Sequence, residues 1–379
     1  MNAIPDCLRP EAPQRVLVLQ GGGALGAYQA GVYEALHEAG MEPDWVIGTS
    51  IGAINAGIIA GNIRAHRLAA LREFWRRVGH DPAVEAWSRL PFPGNLFPNW
   101  ATMAGGVAGF FRPNPQAWFG ADVPMTPERA GFYSCAPLEK TLAEVIDLKA
   151  MNGCAPRLTV GAAAVRTAQM RYFDSRDMTL TIRHIMASGA LPPAFPAIRI
   201  DGELYWDGGV LSNTPVEVVF DDNPRRNSLV FAVHIWNPRG PEPETINQVL
   251  HREKDLRYAS RAASHILRQQ QIHRLRHIIA DLALRLPAEQ RLSPEVQAMA
   301  AHGCLTRMDV VRLLAPGLDN EDHTKDIDFS RAGIQARWAA GLEDTRRALE
   351  RRPWEQQADP LDGFLLHEIR RDPALAMAG

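Results

Sequence analysis

Three short stretches of this 379-residue chain hold the residue types from which acyl-transfer chemistry is built. The first is GTSIG at 48–52. A serine with glycines two places before and after it, between a β-rich run and a small-residue segment, has the pattern of a nucleophile elbow, a strained strand-to-helix turn that exposes the hydroxyl. Gly48 and Gly52 clear the space such a turn needs, and Ser50 is the candidate nucleophile. The second stretch is GGGALG at 21–26, which satisfies GxGxxG between a strand and a helix and, alone, suggests a pyrophosphate site in a dinucleotide fold. That use wants an acidic residue at the end of the second strand, whereas Glu42 and Asp44 stand at its beginning. In a parallel sheet both glycine loops emerge at the same edge, so backbone N–H groups of Gly22, Gly23 and Ala24 can face Ser50 as an oxyanion hole. The third is DGG at 207–209, which puts Asp207 at a strand end before two glycines that permit close backbone approach.

Ser50 needs a base, and the usual arrangement takes a histidine and an acid. Of the twelve histidines only His184 and His234 fall in the later sheet region. One sits on a short helical stretch and the other inside an apolar strand, and neither has flanking turn residues to aim it. Asp207, at the end of its strand, is the better-aimed group.

The elements around these motifs alternate. Residues 15–20 form an apolar β run ahead of the first glycine loop, and 24–39 follow with Leu25, Tyr28, Val32 and Leu36 at helical spacing. Residues 44–49 repeat the strand, 53–60 and 64–78 the helix. Helix is also expected at 138–148 and 181–189, and strand at 158–165, 170–174, 204–207 and 228–236. This alternation predicts a mainly parallel sheet covered by helices. Residues 91–133 break the pattern with Pro, Gly and aromatics, among them Phe92, Phe97, Trp100, Phe110, Phe111, Trp118, Phe119, Phe132 and Tyr133. A long irregular insertion of this kind reads as a lid or acyl-binding segment.

Three prolines and a glycine at 237–244 mark a boundary. The expected organisation is an N-terminal tail at 1–13, a hydrolase domain at 14–236 and a mostly helical extension at 237–379. Residues 245–286 carry Leu256, Ala259, Ala263, Leu267, Leu275, Ile278 and Leu282 on one helical face; one straight helix there would run ~60 Å, so a break is expected. A late strand at 307–314 and a helix at 330–350 follow. With 46% hydrophobic and 22% charged residues and a net charge of −2, the chain has an ordinary globular composition and no general attraction to nucleic acid. Cys7, Cys135, Cys154 and Cys304 lack ligand or disulfide spacing, so neither a metal nor any other cofactor is expected. Residues 1–15 lack a basic start and apolar run, so the expected location is the cytoplasm.

The order GGGALG, GTSIG and DGG, with SGALPPAFP at 188–196 before the last, resembles the patatin-like phospholipases over about residues 15–236. The resemblance implies a three-layer α/β/α fold, hydrolysis of acyl esters of lipids, and a Ser/Asp dyad that dispenses with histidine. Carried over by position, Ser50 is the nucleophile, Asp207 the base, and Gly22, Gly23 and Ala24 the oxyanion donors. The chain carries Leu25 where the family's glycine motif commonly has Arg or Lys, which removes a cation suited to a phosphate headgroup. KDIDFSRAGIQARWAAGLEDTRRAL at 325–349 resembles the extension of a subset of bacterial patatin-like proteins and implies kinship without chemistry. The expected partner is a lipid or other acyl ester. Residues 251–276 hold Arg252, Lys254, Arg257, Arg261, Arg268, Arg274 and Arg276 against Glu253 and Asp255, a basic surplus expected to meet the inner face of an anionic membrane beside the aromatic segment. Homo-oligomerisation is left open. Two other readings share the motifs: a serine acyltransferase with a histidine base, and a non-catalytic membrane-surface protein on the same fold.

Overall fold

A computed structural model describes residues 12–80, 102–153, 156–318, 321–356 and 362–369, with backbone alone at 260–263. Residues 1–11 of the expected tail at 1–13, Phe92, Phe97, Trp100, Cys154 and the side chains of Arg261 and Ala263 lie outside the described residues, Cys7 among the first of these. The centre is a nine-stranded sheet. Its strands are β1 (Gln14–Leu19), β2 (Trp45–Thr49), β5 (Arg157–Ala164), β6 (Met170–Asp174), β7 (Ile198–Ile200), β8 (Glu203–Asp207), β9 (Ser228–His234), β10 (Met308–Leu314) and β11 (Phe364–Glu368); β3 (Arg112–Pro113) and β4 (Tyr133–Ser134) form a separate two-stranded ladder. From β11 through β10, β9, β1 and β2 to β5 all pairings are parallel, while β6, β8 and β7 join antiparallel. β1 and β2 are buried on both faces, as their unbroken apolar runs require once helices cover each side. Helices α1 (Ala27–Glu38), α2 (Ile51–Ala60) and α3 (Arg64–Val78), with Arg331–Arg351 packed on α1, help form the layers that complete the α/β/α fold.

The segment beyond 237 is mostly helical but also feeds the main sheet: β10 pairs with β9, and β11, absent from the sequence-based assignment, pairs with β10. The break expected within 245–286 does not occur. Ile246–Arg285 is one 40-residue helix. It contains no glycine or proline, and Thr245 and Gln248 close its first turn as a capping box. Its buried stripe is Asp255, Ala259, Ile266, His273 and His277, at spacings of four and seven, with both histidine Nε2 atoms donating to the Thr306 carbonyl at 2.7 and 2.9 Å. Leu256, Leu267, Leu275 and Leu282, read from periodicity as an inward face together with Ala259, point outward instead.

The site depends on one feature of the sheet. β5 is longer than its neighbour β2: residues 157–161 pair with β2, and residues 162–164 pair with β8. Because β6 lies along the other edge of β5, pairing with residues 159–163, β2 and β8 share the opposite edge and meet end to end. Thr49 faces Gly161 and Asp207 faces Ala162, so the last residues of the two strands are one step apart along β5.

Candidate active site

Ser50 stands where β2 turns into α2, with φ 57° and ψ −126°. A non-glycine residue is rarely found there, and the strain is held by packing that leaves no alternative path. A Cβ on Gly48 would lie 2.3 Å from the Gly52 carbonyl oxygen, and one on Gly52 would lie 2.2 Å from that of Leu19. Both contacts are with backbone, so no side chain could yield, and the two outer residues of GTSIG are glycines for that reason. The Ser50 N–H donates to both the carbonyl and the Oγ of Ser188 at 3.1 Å, and Ser188 Oγ in turn donates to the Gly161 carbonyl at 2.6 Å. Ser188 thus ties the elbow to β5.

Asp207, 2% exposed, arrives from β8. Its N–H donates to Ala190, its carboxylate accepts the Gly209 N–H at 2.7 Å, and the Ser50 hydroxyl lies close enough to favour its ionised form. Burial pushes its pKa up to about 7, and the nearby Ser50 hydroxyl and the Gly209 N–H, which favour the ionised form, only partly offset it. The two histidines lie elsewhere. His184 Nδ1 accepts the Thr181 N–H at 2.9 Å, its ring packs on Phe173, and burial lowers its pKa. His234 is buried within β9, and burial, aided by Arg312, lowers its pKa to about 3. Neither lines the cavity that holds Ser50 and Asp207.

The glycine loop forms the adjoining wall. Gly23 has φ +56°, and among the described residues the N–H groups of Gly22, Gly23 and Ala24 have no hydrogen-bond partner. The loop is fixed from behind by residues that sequence inspection passed over. Trp236 Nε1 and Asn213 Nδ2 both donate to the Gly21 carbonyl, at 2.7 and 3.1 Å. The fully buried Gln20 accepts the N–H groups of Ile235 and Trp236 and donates to Thr214 Oγ1 at 2.8 Å. An amide closing an apolar strand just before a glycine loop was the available signal. Leu25 lines a second cavity of about 370 Å³, shared with Tyr28, Lys325 and Arg337, and not the cavity that holds Ser50, so its identity does not set the charge beside Ser50.

Ser50 and Asp207 open into a cavity of about 220 Å³. Its walls are Ile51 and Ile54 from α2, Phe110, Phe111 and Tyr133 from the aromatic insertion, Leu191 and Phe195 from the proline-rich turn, and Ile327 and Phe329 from the C-terminal segment. The rings of Phe111, Tyr133 and Phe195 pack together at 4.9–6.2 Å. The charged residues among the described lining are Asp207 and Asp326; no lysine or arginine is among them. Such a chamber suits a hydrocarbon chain with its reacting carbonyl at the serine. Of the free thiols, Cys135 lies outside this lining and burial pushes its pKa up to about 12.

Comparison with known proteins bears on the whole arrangement. A family model described as patatin-like phospholipase matches residues 17–220, and one described as patatin phospholipase matches residues 256–361. The uncharacterized protein YqhO of Bacillus subtilis (strain 168) is 28% identical over 215 residues, covering 52% of this chain and 64% of YqhO. The patatin-like phospholipase domain-containing protein ZK370.4 of Caenorhabditis elegans is 28% identical over 204 residues, 54% of this chain and 12% of that protein. The chain thus spans less than two thirds of the length of either relative. Among solved structures, VipD from Legionella pneumophila superposes with a TM-score of 0.39 at 14% identity, covering 90% of this chain and 67% of VipD. With the first model spanning more than half of its residues, the elbow and glycine loop included, the chain belongs to the patatin-like phospholipase family.

Proposed function

We propose that this protein is a serine acyl hydrolase acting on acyl esters of lipids, with Ser50 as nucleophile, Asp207 as base and the Gly22, Gly23 and Ala24 amides as oxyanion hole. The observation that carries the reading is the meeting of Ser50 and Asp207 at the end of an apolar chamber that no described histidine lines. The Ser50 oxygen attacks the ester carbonyl as its proton passes to Asp207, and the carbonyl electrons move onto the oxygen facing the glycine-loop amides. Collapse expels the alcohol, which takes the proton from Asp207 and leaves the acyl group on Ser50. Water then attacks the acyl-enzyme, again giving its proton to Asp207, and the fatty acid departs as Ser50 is reprotonated. A carboxylate with a pKa near 7 is better matched to this proton transfer than one near 4.

Membrane contact belongs to the same reading, on a different footing from the basic stretch at 251–276. Arg252 is bonded to the carbonyls of Asn237 and Pro238, Lys254 to His323 and Asp326, and Arg257 to Glu253, so these three side chains are engaged within the molecule. The aromatic insertion offers the anchor instead. Trp118 and Phe119 are each 80% exposed on the excursion between β3 and β4, whose base continues into the cavity residues Phe111 and Tyr133. Two adjacent exposed rings suit the boundary between headgroups and acyl chains, where the substrate ester lies. A panel of soluble esters, lysolipids and phospholipids tested against wild type and Ser50→Ala decides the enzymatic reading. Hydrolysis of at least one class by wild type and its loss in the variant is expected; fluorophosphonate labelling of a serine other than Ser50 would overturn it.

A further inference from the structure

The segment at 321–331 supplies no nucleophile, base or oxyanion donor, yet it completes the chamber: Asp326, Ile327 and Phe329 line it, joined by Tyr258 from the long helix. The short turn Lys325–Ile327 rests on the glycine loop itself. A Cβ at Gly23 would fall 2.2 Å from the Asp326 carbonyl oxygen, so loop and turn meet backbone to backbone. Two consecutive residues of the long helix and two of the turn hold this contact through a reciprocal pair of ion pairs. Lys254 Nζ donates to Asp326 Oδ1 at 2.6 Å and to the His323 carbonyl at 2.8 Å. Lys325 Nζ donates to Asp255 Oδ1 at 2.7 Å, lies 2.9 Å from His251 Nε2 and sits 5.3 Å from the centre of the Trp236 ring, whose indole N–H holds the Gly21 carbonyl. Lys325 and Asp255 are nearly sealed from solvent, with side chains 6% and 8% exposed. The buried Arg337 braces the turn through Asp328 and Glu321, both at 3.2 Å.

We infer that Lys254, Asp255, Lys325 and Asp326 are positioning residues for the oxyanion hole, clamping the turn against Gly23 so that the loop amides keep their aim while charge develops on the substrate oxygen. The inference rests on the reading of Ser50 as nucleophile and the glycine loop as its oxyanion site. Desolvation offsets much of the Coulomb gain of a buried ion pair, so the natural use of such a clamp is to fix one geometry. Misaiming the loop amides weakens an interaction that is strongest in the transition state, and therefore lowers kcat more than it raises KM.

The test uses the Lys254–Asp326 arm, which is the more exposed one and so the better tolerated. The single reversals Lys254→Asp and Asp326→Lys, their double reversal, and Lys254→Met are assayed on a soluble short-chain p-nitrophenyl ester. Rates are divided by the sites that a fluorophosphonate titrates to completion at Ser50. The single reversals are expected to lose about 10- to 100-fold in kcat per titrated site with KM changed less than about threefold, and the double reversal to recover most of the loss. Lys254→Met, which leaves Asp326 unopposed without adding repulsion, is expected to fall between wild type and the single reversals, and it carries the test if the reversals do not fold. Unchanged kcat per titrated site alongside a lowered melting temperature would reduce the clamp to a structural tie, and a double reversal no better than the worse single would overturn the pairing. If the wild-type label maps to another serine, the nucleophile reading falls first and the clamp loses its purpose with it.

Discussion

Replacing Asp207 by asparagine should destroy activity and at the same time stabilise the protein, by an amount that grows with pH. The carboxyl is 2% exposed, takes one backbone N–H, and faces a chamber with no lysine or arginine among its described lining. Its pKa rises from an ordinary 3.8 to about 7, so the folded protein holds a proton there that the unfolded chain has released. At about 1.4 kcal/mol per pH unit, the stability present below pH 4 and lost once Asp207 is ionised amounts to about 4 kcal/mol. About 1.5 kcal/mol of this is gone by pH 5, and about 3 kcal/mol goes between pH 5 and pH 8.5. An asparagine side chain at this position cannot ionise and escapes the loss. Melting temperatures of wild type and Asp207→Asn at the two pH values should therefore diverge by about 3–6 °C more at pH 8.5 than at pH 5, given about 1–2 °C per kcal/mol for a chain of this size. Wild-type kcat/KM on a soluble ester should climb about tenfold per pH unit below 7 and level off above it, since the base must be ionised to accept the serine proton. A flat rate profile across this range, or an Asp207→Asn variant no more favoured at pH 8.5 than at pH 5, would refute the account of Asp207 as a buried base.

The remaining predictions use other features. His184→Gln and His234→Gln should keep ester hydrolysis within about threefold of wild type when corrected for folded protein, because neither ring reaches the chamber; a folded but inactive variant of either would favour a histidine-dependent acyltransferase. Ser50→Gly and Ser50→Ala should both be inactive, with the glycine variant more stable by roughly 1 kcal/mol because it relieves the φ of 57° that alanine retains; urea unfolding measures the difference, and equal stability would show that the elbow stores no strain. Trp118→Ser/Phe119→Ser should lower turnover of lipid in vesicles while leaving soluble esters unaffected, with little dependence on salt; equal activity on vesicles would remove the insertion as an anchor.

How much of this is legible in the sequence depends on how local its cause is. The elbow is readable because Gly48 and Gly52 are needed by contacts within a few residues of Ser50 or with the adjacent strand β1. Asp207 is readable as a strand-end carboxylate, but its meeting with Ser50 is not, since it comes from two strands more than 150 residues apart sharing the edge of a third. Gln20, Ser188 and Asn213 each reach partners 138 to 216 positions away, and nothing in their neighbourhoods separates them from polar residues in ordinary turns. The long helix shows the opposite error. Periodicity puts its leucines on an inward stripe, whereas the buried stripe runs through Asp255, His273 and His277, polar residues whose partners come from elsewhere in the chain.

The abutment of β2 and β8 on one edge of β5 also bears on how a chain of this kind can change over time. Strand side chains alternate between faces, so sliding either strand by a single residue along β5 would carry its terminal functional group to the far side of the sheet. Insertions or deletions within 45–49, 157–164 or 203–207 should therefore be purged. Much of the chamber wall comes instead from the connections at 102–133 and 189–195, where added length costs little. On the proposed function, reaction and substrate preference would be inherited through different parts of the chain. A transplant of the 110–133 excursion from one relative into another should transfer acyl-chain preference while leaving the bond-breaking chemistry to the recipient.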